Sequence, residues 1–489
     1  MKQYLLGIDV GTTGAKTLLY SNDGELLGHA YRPYDTKIPQ PLYSEQNPED
    51  WWSAVCETIR EVCSDPDAAQ RVAAVSLSVQ GGTLVPVDEN LRPVRPAIVW
   101  NDTRGIAEKE AYLREAGDSA SMYEKSGWQL GCGMNALMIR WMRDHEPELF
   151  EKTDMFLSVP DYISAKMTGI AALDVSNSGI NQMADIRKGC YDPELLQFAG
   201  VTEDKLGKIV TSGDVIGHLT AEAAAATGLS TNCVLVAGAH DQYCVTLGAG
   251  ANRAGDILIG SGTCWVVTAM GDAPAFETGL AQSVAAVSDL WGSLRSLPTG
   301  GVCLEWWRKN LADMVSYEEL NRETADRKAA EDGLFFIPFS GFGDNDVPFG
   351  KATFVGMDLY HDKYHLARAV MEGVVFQTLW MLEKFPVKPV QEGLLLTGGA
   401  SKSPVWGQLV ADISGLPVRI PEVADLGCVG AAILAGVGCG IYADAAEGYA
   451  KLGVKERVLQ PNPGAAAKYQ KAYEEFKRIA TTLQETYQV

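Results

Sequence analysis

The feature that most constrains this chain is a folding plan that occurs twice. Leu5–Tyr20 reads as an apolar strand, a turn Gly11-Thr12-Thr13-Gly14 and a second strand. Asp256–Thr268 repeats it, with a strand to Gly260, a turn Gly260-Ser261-Gly262-Thr263 and a strand from Cys264. Apolar runs bounded by Gly-rich punctuation read as strands joined by tight turns. One such unit in each half argues for two similar α/β lobes rather than one large domain. The length agrees, because 489 residues exceed the roughly 250–300 at which a single core stops growing. The expected division is 1–245 and 246–489.

The neighbouring elements extend the plan. Leu26–Tyr31 reads as a third strand. Asn47 then caps a helix opened by Pro48, Glu49 and Asp50, with Trp51, Val55, Ile59 and Val62 on one face. The strand Val72–Val79 ends in Gln80-Gly81-Gly82, and the strand Cys233–Ala237 leads into Gly238-Ala239-His240-Asp241-Gln242. The strand Gly393–Leu396 runs into Thr397-Gly398-Gly399, ahead of a helix from about Pro404. The longest uncharged apolar stretch, Leu426–Tyr442, is full of Gly and Ala and short for a membrane span, so it reads as a buried helix.

Composition excludes several functions. With 41 basic and 62 acidic residues the net charge is −21, which repels nucleic acid and anionic membranes. The ten cysteines form no CxxC and there are only six histidines, so a structural zinc site is not expected and the thiols read as reduced. No secretory signal pattern opens the chain, and the expected location is cytoplasmic. The expected partner is a small molecule, with neither nucleic acid nor membrane, and a homodimer is one assembly open to the chain.

The two turns carry the first chemical signal. Phosphates need close backbone approach, N–H donors and hydroxyls, which Gly, Thr and Ser supply. Asp9 ends the first strand just before its turn, where a carboxylate can hold Mg²⁺ through water. Asp241 lies past a strand end at the head of a helix. A sugar hydroxyl attacks phosphorus poorly until its proton is removed, and a carboxylate within reach can accept that proton. Gln242 beside it could hold a second hydroxyl. From spacing alone, Asp241 reads equally well as a helix cap.

Longer segments carry a resemblance. Leu6-Gly7-Ile8-Asp9-Val10-Gly11-Thr12-Thr13 looks like the first phosphate motif of the FGGY carbohydrate kinases. Ala352–Met357 followed by His365–Glu372 fits the family's second signature at every position. The first signature is partly present in Arg140–His145, with Met138 where the family usually has Lys. Ser44–Trp52 and Pro96–Arg104 resemble xylulokinase segments. The resemblance implies two ribonuclease-H-like, actin-like ATPase domains flanking a cleft, with sugar mainly in the N-terminal domain and ATP mainly in the C-terminal one. It implies that Asp241 is the catalytic base and that Gln80, Gly81, Asp102 and Gln242 contact sugar. It places ATP against Thr12, Gly262, Thr263, Gly301, Glu305, Gly399, Ala400 and Ser403; Thr13 joins them from the first turn, and ATP and Mg²⁺ are the expected cofactors.

One departure bears on substrate. Where xylulokinases typically show Gln-Met-His-Gly, this chain has Gln80-Gly81-Gly82-Thr83. Two glycines there predict a roomier, less discriminating pocket wall. The reading favoured is a kinase for a ketopentose such as xylulose. The alternatives are a kinase for ribulose, gluconate or glycerol, and an actin-like ATPase that moves a partner.

Overall fold

The computed structural model describes residues 3–487 except 117–118, 277–278, 288, 339–350 and 424. It resolves into two compact units. The first comprises 1–252, 272–292 and 423–454, and the second 253–271, 293–422 and 455–489. The chain therefore passes between the units more than once.

The first unit is built on a six-stranded sheet. Its strands are β1 (Tyr4–Val10), β2 (Gly14–Ser21), β3 (Leu26–Pro33), β4 (Val72–Val79), β5 (Val215–His218) and β6 (Val234–His240), in the order β5-β6-β4-β1-β2-β3. β1 runs antiparallel to β2 and parallel to β4, and β4 runs parallel to β6. A parallel sheet must be covered on both faces, which is why β1 is apolar apart from Asp9 near its carboxyl end. Leu6, Ile8 and Val10 pack with Trp51, Val55 and Ile59 of the helix Pro48–Val62. Leu5 packs with Val236, Ala435 and Tyr442 on the other face. Each such fully buried large apolar side chain contributes about 1.5–3 kcal/mol. The Asn47 carboxamide caps the helix Pro48–Val62 by accepting from Glu49 N–H at 3.3 Å.

The apolar stretch from Leu426 becomes the helix Leu426–Gly438, buried over most of its length. Its small residues let it lie flat on β1. A Cβ at Gly7 would stand 1.8 Å from the carbonyl oxygen of Cys428, so neither surface has room for a side chain there. Among the described residues no helix is long and apolar enough to cross a membrane.

The second unit repeats the topology with β7 (Ile257–Ser261), β8 (Trp265–Gly271), β9 (Leu394–Gly398), β10 (Val418–Pro421) and β11 (Glu456–Leu459). These neighbours run β8-β7-β9-β10-β11. β7 is antiparallel to β8 and parallel to β9, β9 is parallel to β10, and β10 is antiparallel to β11. Strand for strand this matches β2-β1-β4-β6-β5, so the plan seen twice in the sequence is a duplicated sheet.

Candidate active site

In the first unit the candidate residues follow the carboxyl ends of β1, β4 and β6. Ligands of parallel α/β sheets gather at such ends, where loops are free of the ladder. Asp9 pairs in register with Lys16 on β2 and with Ser78 on β4. Ser78 Oγ donates to Asp9 Oδ1 at 2.7 Å. Lys16 Nζ lies 3.6 Å from Asp9 Oδ2 and 3.0 Å from Asp425 Oδ2. Burial and the Asp425 charge push the Asp9 carboxyl up to about 6, and Asp241 adds to the effect. Lys16 alone does not offset three carboxylates, so this corner suits a cation. No group of three or more metal-binding side chains occurs among the described residues. A single carboxylate with water and phosphate oxygens is how Mg²⁺ is usually held, and Asp9 fits that role.

Thr12, Gln80 and Trp100 form one hydrogen-bonded array. Trp100 Nε1 donates to Thr12 Oγ1 at 3.1 Å, and Thr12 Oγ1 donates to Gln80 Oε1 at 3.2 Å. Gln80 Nε2 donates to Gln46 Oε1 at 3.1 Å, and Gln46 Nε2 donates to the Thr12 carbonyl at 2.6 Å. Gln80 is 2% exposed, so it holds the Gly11–Gly14 turn rather than presenting an open amide. Thr13 is exposed at the tip of that turn.

Asp102 is likewise engaged. Its Oδ1 accepts from Arg104 N and Nε at 2.9 Å, and its Oδ2 accepts from Arg104 Nη2 at 2.7 Å and from Ser44 N at 2.6 Å. With the side chain buried and both oxygens occupied, Asp102 fixes the loop that follows Trp100.

Asp241 is different. It is the first residue of the helix Asp241–Gly248, and its side chain is 31% exposed. The positive end of that helix favours a carboxylate. His240 precedes it as the cap residue. Its Nδ1 accepts from Gln242 N–H at 3.3 Å and stands 3.2 Å from Asp241 Oδ1. The His240 backbone N–H donates to Ser176 Oγ at 2.9 Å, and Ser176 Oγ in turn donates to the buried Asp174.

The expectation of a roomier wall at Gly81-Gly82 is corrected by this arrangement. A Cβ on Gly81 would lie 2.5 Å from His240 Cδ2 and 2.9 Å from Ile180 Cγ2. Gly82 has φ +68°, in the left-handed region, and its Cβ would lie 3.2 Å from Met134 Sδ. A Cβ at 81 would run into the imidazole from β6, and one at 82 would press on Met134. Met138, where the family signature usually has Lys, is fully buried in a cluster with Leu84, Ile98 and Trp141.

The second unit holds a cavity of about 600 Å³. Gly262, Thr263, Gly301, Glu305, Gly399 and Ser403 all line it, and apolar walls come from Val302, Leu320, Met371 and Trp406. That volume and mix of surfaces suit a nucleotide-sized ligand. The helix Gly301–Leu311 starts against the β7–β8 turn: Gly301 N–H donates to the Gly262 carbonyl at 3.2 Å, and Val302 N–H to that of Thr263 at 3.1 Å. A Cβ at Gly301 would stand 2.3 Å from the Gly262 oxygen. Ser403 Oγ accepts from Trp406 N–H at 3.0 Å, capping the helix Pro404–Ser414, and donates to Asn321 Oδ1 at 2.6 Å. Glu305 pairs with Arg308 at 2.8 Å and accepts from the Tyr317 hydroxyl. Ala400 is buried, and its N–H donates to Ser261 Oγ at 3.0 Å, so it braces the β9 turn behind the cavity.

A larger cavity of about 820 Å³ in the first unit includes Val72 and Val234, at the opposite sheet end, and none of the candidate residues. Sequence reasoning overlooked Lys16, His240, Asn321, Tyr317 and Asp425. Lys16 had a usable signal, since hairpin register sets it opposite Asp9. His240 had one too, as the residue directly before Asp241, and the other three meet the site only through tertiary packing.

Comparison with known proteins divides the chain in sequence. The family model described as "FGGY family of carbohydrate kinases, N-terminal domain" matches residues 4–248, and its C-terminal counterpart matches 256–439. An L-xylulose/3-keto-L-gulonate kinase of Escherichia coli is 31% identical, over 99% of this chain and 98% of its own length. A xylulose kinase of Bacillus subtilis is 28% identical, over 98% and 97% respectively. The crystal structure of a xylulose kinase from Rhodospirillum rubrum, 26% identical, superposes with a TM-score of 0.91 and covers 100% of both chains.

Proposed function

The chain belongs to the FGGY family of carbohydrate kinases and is a sugar kinase, and on that premise we propose that it transfers the γ-phosphoryl group of ATP to a hydroxyl of a ketopentose such as xylulose, with Asp241 as general base. The observation that carries the assignment of the base is the setting of Asp241: a part-exposed carboxylate at a helix head, beside Gln242 and in the field of Asp9.

The residues divide the work as follows. The 1–245 part of the chain holds the sugar and the 246–489 part the nucleotide. Asp241 accepts the hydroxyl proton as the sugar oxygen bonds to phosphorus and the bond to the β,γ-bridging oxygen breaks, releasing ADP. Gln242 and the backbone at Gly81 orient the sugar. Gln80 and Asp102 act through their neighbours, the first through the Gly11–Gly14 turn and the second through the Trp100 loop. Thr12 and Thr13 with Gly262 and Thr263 face phosphate, while Gly301, Glu305, Gly399 and Ser403 receive the rest of the nucleotide over a floor braced by Ala400. Asp9 would hold Mg²⁺, which when bound neutralises charge on the phosphates.

Gly81-Gly82 in place of Met-His favours a second reading, a kinase for another sugar, sugar acid or polyol such as ribulose, gluconate or glycerol. Turnover across ketopentoses, sugar acids and glycerol decides between the two. The expected result is fastest ADP release with a ketopentose, and a clear preference for a sugar acid or glycerol would replace the first reading with the second.

A further inference from the structure

His240 has a chemistry that capping does not use. Its ring is buried between Trp128 and Tyr243, with centroids at 5.9 and 6.0 Å. Nδ1 is engaged, facing Gln242 N–H at 3.3 Å and Asp241 Oδ1 at 3.2 Å, and Nε2 is the nitrogen left to bond a ligand, as donor or acceptor according to the tautomer. No hydrogen bond reaches Nε2 among the described residues. That nitrogen would lie 2.9 Å from a Cβ at Gly81, so it stands where a side chain at 81 would otherwise point. Trp128, packed on the same ring, has a buried Nε1 that is also without a partner. Two unpartnered ring nitrogens, one of them on the residue immediately before Asp241, suit a ligand that presents hydroxyl groups, which both donate and accept.

We infer that His240 is a specificity-determining residue, which bonds through Nε2 to one hydroxyl of the sugar and occupies the place of the side chain that Gly81 lacks. This rests on the kinase reading above, since the ligand is the sugar whose neighbouring hydroxyl Asp241 deprotonates. The glycine and the imidazole form one device: the glycine at 81 makes room, and the ring fills it from the adjacent strand. Selection at this wall is then set by residue 240 rather than by residue 81. A site built to bond a hydroxyl rejects an analogue that lacks or misplaces it far more strongly than an apolar wall does.

The test is His240→Asn in the full chain. Asn is a favoured cap residue, so the helix Asp241–Gly248 keeps its start while the Nε2 group is removed. The ratio of kcat/KM between the best ketopentose and its epimers should shrink by about tenfold or more, with KM for ATP unchanged. An unchanged ratio, or equal loss for every sugar, would overturn the inference. A second measurement checks the geometry: Gly81→Ala should lower the melting temperature more in the wild-type background than in a His240→Ala background, where only Ile180 still crowds the added Cβ. Equal effects in both backgrounds would also overturn it. Absence of turnover with every sugar would strike the kinase reading alone. Calorimetric sugar binding to wild type and His240→Asn then decides the role of His240, with equal affinities ruling it out.

Discussion

Asp9 and Asp241 are both carboxylates at strand ends, yet the fold treats them differently. Asp9 is pushed up to about 6 by burial and by Asp425. A carboxyl whose folded pKa exceeds its unfolded value favours folding when protonated, so stability falls as pH rises from about 4 towards 6 and stays lowered above that. Without ligands, Asp9→Asn should therefore be more stable than wild type near pH 8, by about 3 kcal/mol, with the gap closing towards about pH 4. Its Mg²⁺-dependent turnover should be lost. A variant less stable than wild type near pH 8 would show that Lys16 already offsets the charge. Asp241 is part-exposed and is the carboxylate we propose for the proton transfer. Asp241→Asn should keep sugar affinity within about twofold, by calorimetry, and lower kcat by roughly 10²–10⁴-fold; near-normal turnover would remove it from the mechanism. Both aspartates were legible because strand periodicity and a Gly-rich turn mark where a strand ends. The engagement of Asp102 was not legible, since Arg104, two residues on, reads in sequence as one more polar residue of a loop. Gly81 was misread for a related reason: a missing side chain suggests space, and only packing shows His240 in it.

Among elements, the helix Gly301–Leu311 shows how a site can depend on backbone alone. Its first two N–H groups are bound to carbonyls of the β7–β8 turn, and Gly301 has no room for a Cβ beside the Gly262 oxygen. Gly301→Ala should push the helix off the turn, raising KM for ATP at least about tenfold while leaving sugar binding unchanged, because a misplaced wall costs binding contacts directly. Unaltered ATP kinetics would detach this helix from the nucleotide site. In sequence, Cys303-Leu304-Glu305-Trp306-Trp307 reads only as an amphipathic helix, and nothing local joins it to a turn forty positions earlier. The helix Leu426–Gly438 was more readable: a Gly- and Ala-rich apolar stretch can pack closely, although its place on β1 depends on tertiary contact.

At the scale of the molecule, the duplicated sheet was the most legible property, because each copy of the strand–turn–strand unit is written locally. What the sequence left out is the route of the chain, which sends 272–292 and 423–454 back to the first unit. This return carries Asp425 to Asp9 and makes the acidic corner a product of distant segments. The central claim is that the chain moves a phosphoryl group from ATP to a sugar. Phosphorus NMR of a reaction with ATP, Mg²⁺ and a ketopentose reads that claim directly. The account predicts a new phosphate-ester resonance growing in step with ADP, and none without sugar. Inorganic phosphate growing in step with ADP, whatever sugar is present, would contradict it and identify an ATPase.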